Sequence, residues 1–217
     1  MSEQPEARTL FRAAYENRYT WDEGFPGFSA EVTVKQGDEA YTGKVRINPD
    51  LSVEVFDVED EKVKESIYTQ LRDVVTHRKR NSFEKAHGSN QFRFGETDET
   101  GSVEILVTGD AMGSNYKVRN NQVSQVRRVM GRMAFTIDHK ACLETGQGYV
   151  STQYDAVFRN PQSGDLLREM QFEDTYEQFG EYYLLTHQVI HTIAEGQPST
   201  TEFSFSNVKL LEPAIAQ

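Results

Sequence analysis

The stretch FSAEVTVKQGDEAYTGKVRI, residues 28–47, decides the fold class. Phe28, Ala30, Val32 and Val34 alternate with Ser29, Glu31, Thr33 and Lys35, the two-residue period of a half-buried strand. Gln36-Gly37-Asp38 then turns the chain into a second alternating run through Tyr41, Gly43, Val45 and Ile47, so the two runs read as a hairpin. Asn48-Pro49-Asp50 marks another turn, and Val53 and Val55 continue the pattern in a third strand. The simplest reading is an antiparallel meander.

On either side of it the period is helical. Ala7, Leu10, Phe11, Ala14 and Tyr15 share a stripe, which predicts a helix over 6–19, followed by an ordered aromatic loop, WDEGFPGF, at 21–28. Val63, Ile67, Leu71, Val74 and Val75 form a second stripe and predict a helix over 60–79. Asp57, Glu59, Asp60 and Glu61 sit at its start and His77, Arg78, Lys79 and Arg80 at its end, both signs matching the helix dipole.

After Asn90 the chain reads as strands with few interruptions. They are Gln91–Gly95, Ser102–Thr108, Ser114–Arg119, Gln122–Met130, Ala134–Glu144, Tyr149–Asn160, Leu166–Tyr176, Glu181–Ala194 and Thr200–Leu211, separated by turn residues such as Asn120-Asn121 and Gly146–Gly148. Gly109–Gly113 reads as a tight hairpin connection, since no GK[ST] and no helix follow it. The expectation is an α+β fold in one domain, 1–217. Its large, strongly curved antiparallel sheet of about 10–12 strands is half-barrel or barrel-like, with the N-terminal helix and a second helix packed in its hollow.

Composition bounds the function. The chain has 217 residues, 37% of them hydrophobic, and one Cys, which excludes an internal disulfide. No apolar window approaches the roughly 18 residues of a membrane span, and residues 1–12 carry no export signal; a cytoplasmic, or stromal, protein is expected. Net charge is −11, opposing nucleic acid. The basic groups concentrate in 61–140, with 14 basic against 10 acidic residues, whereas 1–60 has 6 against 13 and 141–217 has 3 against 11.

The run LFRAAYENRYTWDEGFPGF (10–28), with VVTHR (74–78) and GEYYLL (180–185), resembles an uncharacterised family of cyanobacteria and plant plastids, along nearly the whole chain. The resemblance implies a setting and supplies no catalytic residues. The order of elements is also similar to the periplasmic lipoprotein-carrier half-barrel, a likeness of architecture only.

No catalytic constellation, metal cluster or cofactor motif stands out, so the expectation leans away from an enzyme, with an enzyme working in a barrel cavity kept as an alternative. His187 and His191 lie on one strand face with Tyr183, Leu185, Val189 and Ile193. At about 3.3 Å per residue they are roughly 13 Å apart, too far to share a metal, and read as hydrogen-bonded or ligand-contacting histidines. Cys142 reads as buried and inert. The acids Glu169, Glu173, Asp174, Glu177 and Glu181 read as a solvated face.

The many aromatics point to a non-enzymatic protein that holds an apolar ligand (a lipid, pigment or isoprenoid) between sheet and helix. Trp21, Tyr154, Phe158, Leu185, His187 and His191 are the candidate contacts. The alternative is an accessory or assembly factor for photosynthetic complexes, docking an acidic protein partner through Arg119, Arg127, Arg128 and Arg132. Oligomeric state is open.

Overall fold

The computed structural model describes residues 3–109 and 114–212. Three helices and twelve strands follow the chain: α1 (Pro5–Glu16), β1 (Phe28–Gln36), β2 (Glu39–Ile47), β3 (Val53–Phe56), α2 (Glu61–Arg78), α3 (Phe83–His87), β4 (Gln91–Thr97), β5 (Val103–Thr108), β6 (Ser114–Arg119), β7 (Gln122–Met130), β8 (Met133–Glu144), β9 (Tyr149–Arg159), β10 (Leu166–Phe179), β11 (Tyr182–Ala194) and β12 (Gln197–Leu210). Strand neighbours run β3-β2-β1-β12-β11-β10-β9-β8-β7-β6-β5-β4, so the expected large antiparallel sheet is present. It is open, with edges at β3 and β4, and not a closed barrel. Every adjacent pair in that order but one joins sequence neighbours, as a meander requires, and the exception is β1 beside β12.

The chain divides into two compact units. The first comprises 1–19, 81–172 and 192–198; the second comprises 20–80, 173–191 and 199–217.

In the first unit α1 presents Ala7, Phe11 and Ala14 to β4, β6 and β7. Its start is fixed by Gln4, whose backbone N–H donates to Phe92 O at 2.9 Å and whose side-chain oxygen accepts from Phe94 N at 2.8 Å. The helix stops at Glu16, three residues short of the expectation. Tyr19 N–H donates to Tyr149 O at 2.8 Å and Tyr149 N–H to Asn17 O at 3.0 Å, so strand-type pairing takes over these backbone groups. Gly148 permits that approach. Its φ is +125°, and a Cβ there would run into Asn17 O and Tyr19 N.

The five-residue α3, capped by Ser82 accepting from Lys85 N, was not expected from the periodicity, because a single turn shows no period. The aromatic side chains of α1 and α3 meet those of the sheet around Phe11, which is 1% exposed. Tyr116 lies 4.4 Å from it, His87 5.1 Å, Phe92 5.3 Å and Phe83 5.9 Å between ring centroids.

In the second unit α2 spans Glu61–Arg78, one residue inside the expected 60–79 at each end, because Asp60 and Lys79 are its caps. The Asp60 carboxylate accepts from Lys62 N and Val63 N at 2.9 and 3.0 Å, satisfying two of the donors a helix start leaves open. All five residues of its predicted stripe are buried, and the helix lies against β3. The Gly109–Gly113 connection falls on 110–113, outside the described residues.

Candidate functional site

Alternation along β5–β9 sorts the first unit's side chains onto two faces. On the α1 face the register aligns Ile105, Tyr116, Val126, Ile137 and Ala156. On the other it aligns Glu104, Lys117, Gln125, Asp138 and Asp155.

The α1 face has two parts. Over β4–β7 it is closed by the cluster around Phe11, which extends to Val123 and Val126. His87 belongs to this cluster and was not singled out from the sequence. Its ring is 7% exposed, and Asn90 Nδ2 lies 3.3 Å from its Nδ1. Burial, then the charges of Arg18, Arg128 and Arg8, lower its pKa to about 4, so it is neutral near pH 7 and reads as a core histidine.

Over β8–β10 the same face carries half-buried aromatics outside that cluster. Phe135 and Phe158 pair across β8 and β9 with centroids 6.1 Å apart, and Arg168 sets its guanidinium 4.2 Å from the Phe158 ring centre. Tyr154 stacks on Phe172 at 4.5 Å and lies 6.0 Å from His139, opposite it in the register. His139 Nδ1 is 2.6 Å from Ser151 Oγ; burial brings its pKa to about 4, against a smaller upward pull from Asp138. Val129, Met130, Leu166 and Leu167 are exposed at the end of the strands next to Phe135 and Phe158.

The opposite face holds a cavity of about 430 Å³ lined by Glu96, Asp98, Glu104, Lys117, Gln125, Arg127 and Thr136, contributed from β4 through β8. Two contacts there are already made: Lys117 Nζ to Asp98 Oδ2 and Gln125 Nε2 to Asp138 Oδ1, both 2.7 Å. Asp98 lies well below the usual carboxylate range because Lys117 and Thr100 donate to it. A smaller cavity of about 70 Å³ is bordered by Arg119, His139, Tyr149, Ser151 and Cys142. Cys142 is exposed, not buried as expected; its thiol donates to Gln122 Oε1 at 3.3 Å. Neither cavity includes a predicted ligand contact.

Tyr154 and Phe158 thus fall in the first unit's aromatic row, while the other four candidates belong to the second unit. Trp21 is buried and stacked on Phe25 at 4.1 Å, and its indole N–H donates to Tyr183 O at 3.3 Å. Leu185 is buried. His187 Nε2 lies 2.9 Å from Glu202 Oε1, and that contact lowers the Glu202 pKa. His191 is exposed, with Nδ1 2.9 Å from Thr200 Oγ1.

Among the predicted docking arginines, Arg127 lines the larger cavity, whereas Arg128 donates to Ser114 Oγ at 2.9 Å on the α1 face. Adjacent strand residues point to opposite sides, so these two do not share a patch. Arg119 borders the small cavity and Arg132 occupies the β7–β8 turn. In the second unit two of the predicted solvated acids are engaged: Asp174 accepts from Gln188 at 2.7 Å and Glu177 from Thr186 at 3.0 Å.

Among the described residues no group of three or more His, Cys, Asp or Glu is placed to hold a metal ion. Among the described residues no helix is long and apolar enough to cross a membrane.

No curated protein matches the chain. Solved structures similar to it include a putative outer membrane lipoprotein-sorting protein domain from Vibrio parahaemolyticus, with 12% identity, 98% of this chain and 95% of that one covered, and a TM-score of 0.36. A DUF1329 family protein from Desulfovibrio piger has 8% identity, 100% and 96% coverage and a TM-score of 0.28. The Pseudomonas aeruginosa MucA/MucB complex contains a chain with 10% identity, 95% and 99% coverage and a TM-score of 0.24. A family model matches residues 2–211, and the chain accordingly belongs to the protein family of unknown function DUF3386.

Proposed function

We propose that the protein is a non-enzymatic binder of an apolar ligand, of the lipid, pigment or isoprenoid type, held along the aromatic row of β8–β10. The observation that carries this reading is the half-burial of Phe135, Tyr154, Phe158 and Phe172 on a face whose neighbouring part, over β4–β7, is sealed by α1. Aromatic rings left partly open beside a finished core provide apolar contact area at small entropic cost. Arg168, seated over Phe158 and itself exposed, offers a cation at the end of the row.

The test is a fluorescence titration of delipidated protein with a dansyl-labelled fatty acid, beside native mass spectrometry of gently purified protein. Saturable binding that weakens at least tenfold in Phe158→Ser supports the reading, as does a small-molecule mass lost on denaturation. An apo mass together with no saturable fluorescence change overturns it.

A further inference from the structure

We propose that the cavity on the sheet face opposite α1 binds a small zwitterion of the dibasic amino-acid class. The inference does not depend on the apolar ligand.

Three features show that this cavity is built. First, β4 bulges where it pairs with β5: Phe94 opposes Ile105, yet Thr97 opposes Val103, so three residues of β4 advance against two of β5. Without the bulge Glu96 would share the side of Phe92 and Phe94; with it Glu96 turns into the cavity. Second, the Glu104 side chain lies over Gly95, so close that a Cβ at 95 would collide with its carboxylate. Gly95 has no positive φ, so the backbone does not require a glycine; the space for Glu104 does. Third, Asp98 is fixed by Thr100 and Ser102, and it in turn holds Lys117.

The charges left over name the ligand. Lys117 is answered by Asp98. Glu96, Glu104 and Arg127 make no side-chain hydrogen bond or ion pair among the described residues. Two carboxylates and one guanidinium therefore face the cavity without partners. A dicarboxylate or a phosphate would meet two like charges, and a polyamine would leave Arg127 unanswered. A dibasic amino acid offers two cations and one carboxylate, and answers all three groups. The Gln125 amide, whose N–H is given to Asp138, keeps its oxygen to accept from an ammonium, and the Thr136 hydroxyl adds a neutral partner. The volume falls within the roughly 300–1,000 Å³ of small-molecule sites, and the net charge of −11 favours arrival of a cationic ligand.

The experiment titrates ¹⁵N-labelled protein with L-lysine, using L-glutamate as the charge-reversed control, and follows backbone amide shifts. Lysine is expected to give saturable shifts centred on Glu96, Glu104, Lys117 and Arg127, and glutamate none. Arg127→Ala and Glu104→Gln should each weaken lysine binding about tenfold or more, with amide dispersion confirming that the variants fold. Gly95→Ala, which displaces the Glu104 carboxylate and leaves every charge in place, gives a second loss of affinity. No saturable shift up to about 10 mM lysine, an equal response to glutamate, or lysine binding untouched by all three substitutions overturns the proposal. The fatty-acid titration reads the opposite face, so failure of either site is seen separately.

Discussion

The two faces of β5–β8 use the same backbone for opposite purposes. On one, Tyr116 and Val126 pack beneath α1; on the other, their chain neighbours Lys117 and Arg127 line a charged cavity. The first face excludes water and contributes stability in proportion to its buried apolar area. The second keeps charges solvated and, once Lys117 and Asp98 are paired, leaves Glu96, Glu104 and Arg127 without side-chain partners among the described residues. A strand two residues wide in its repeat thus separates what holds the fold from what is available to a ligand, and substitutions one position apart should differ sharply.

The largest effect is expected at the centre of the closed face. Phe11→Ala removes a ring with four aromatic neighbours within 6 Å and should cost about 3–5 kcal/mol, read as a lowered urea midpoint. A loss below about 1 kcal/mol would mean that this face does not carry the core.

Acid should attack the same face next. The unfolded His87 titrates near 6.5 and the folded one near 4, so between these values the unfolded chain binds more protons and stability falls as the pH is lowered. The loss approaches about 3 kcal/mol by pH 4, with His139 acting in the same direction. Urea midpoints measured from pH 7 to pH 4 check this, and His87→Gln should flatten the curve. Asp98 has the same direction of dependence at lower pH: its depressed value gives stability that is lost only as the pH falls through the bottom of the carboxylate range.

On the charged face, Arg127→Ala should move the midpoint by no more than about 0.5 kcal/mol, the ordinary range for a surface change, while Val126→Asp next to it costs several times more. Equal effects at 126 and 127 would erase the distinction between faces. The smallest change in stability is expected from Gly95→Ala, because the atoms in the way include the mobile end of Glu104; its signature is a displaced carboxylate seen in a structure of the variant.

Much of the framework was legible. Helix α2 follows its five-residue stripe to within one residue at each end, and the twelve strands follow from alternation and turn residues. The end of α1 was not, because the pairing of Asn17 and Tyr19 with Tyr149 joins segments about 130 residues apart, which no local window contains. The charged cavity was hidden for a related reason. Its lining comes from five strands, and reading β4 by simple alternation places Glu96 on the wrong side; only the pairing with β5 shows the bulge. His87 was passed over because its neighbours in the fold, Phe11, Tyr15 and Tyr116, are distant in sequence.

The division into two units bears on how the chain is made and inherited. Each unit is assembled from three separate lengths of chain, and residues 192–198 are needed to complete the first, whose other parts lie at 1–19 and 81–172. During synthesis that unit must wait until residues 192–198 have been made, with strands β4–β9 already outside the ribosome and open to wrong partners. Recombination meets the same constraint. Neither unit can be cut out as one continuous segment or exchanged alone, so the family is expected to vary by substitution and loop insertion, with whole-length inheritance of the twelve-strand framework.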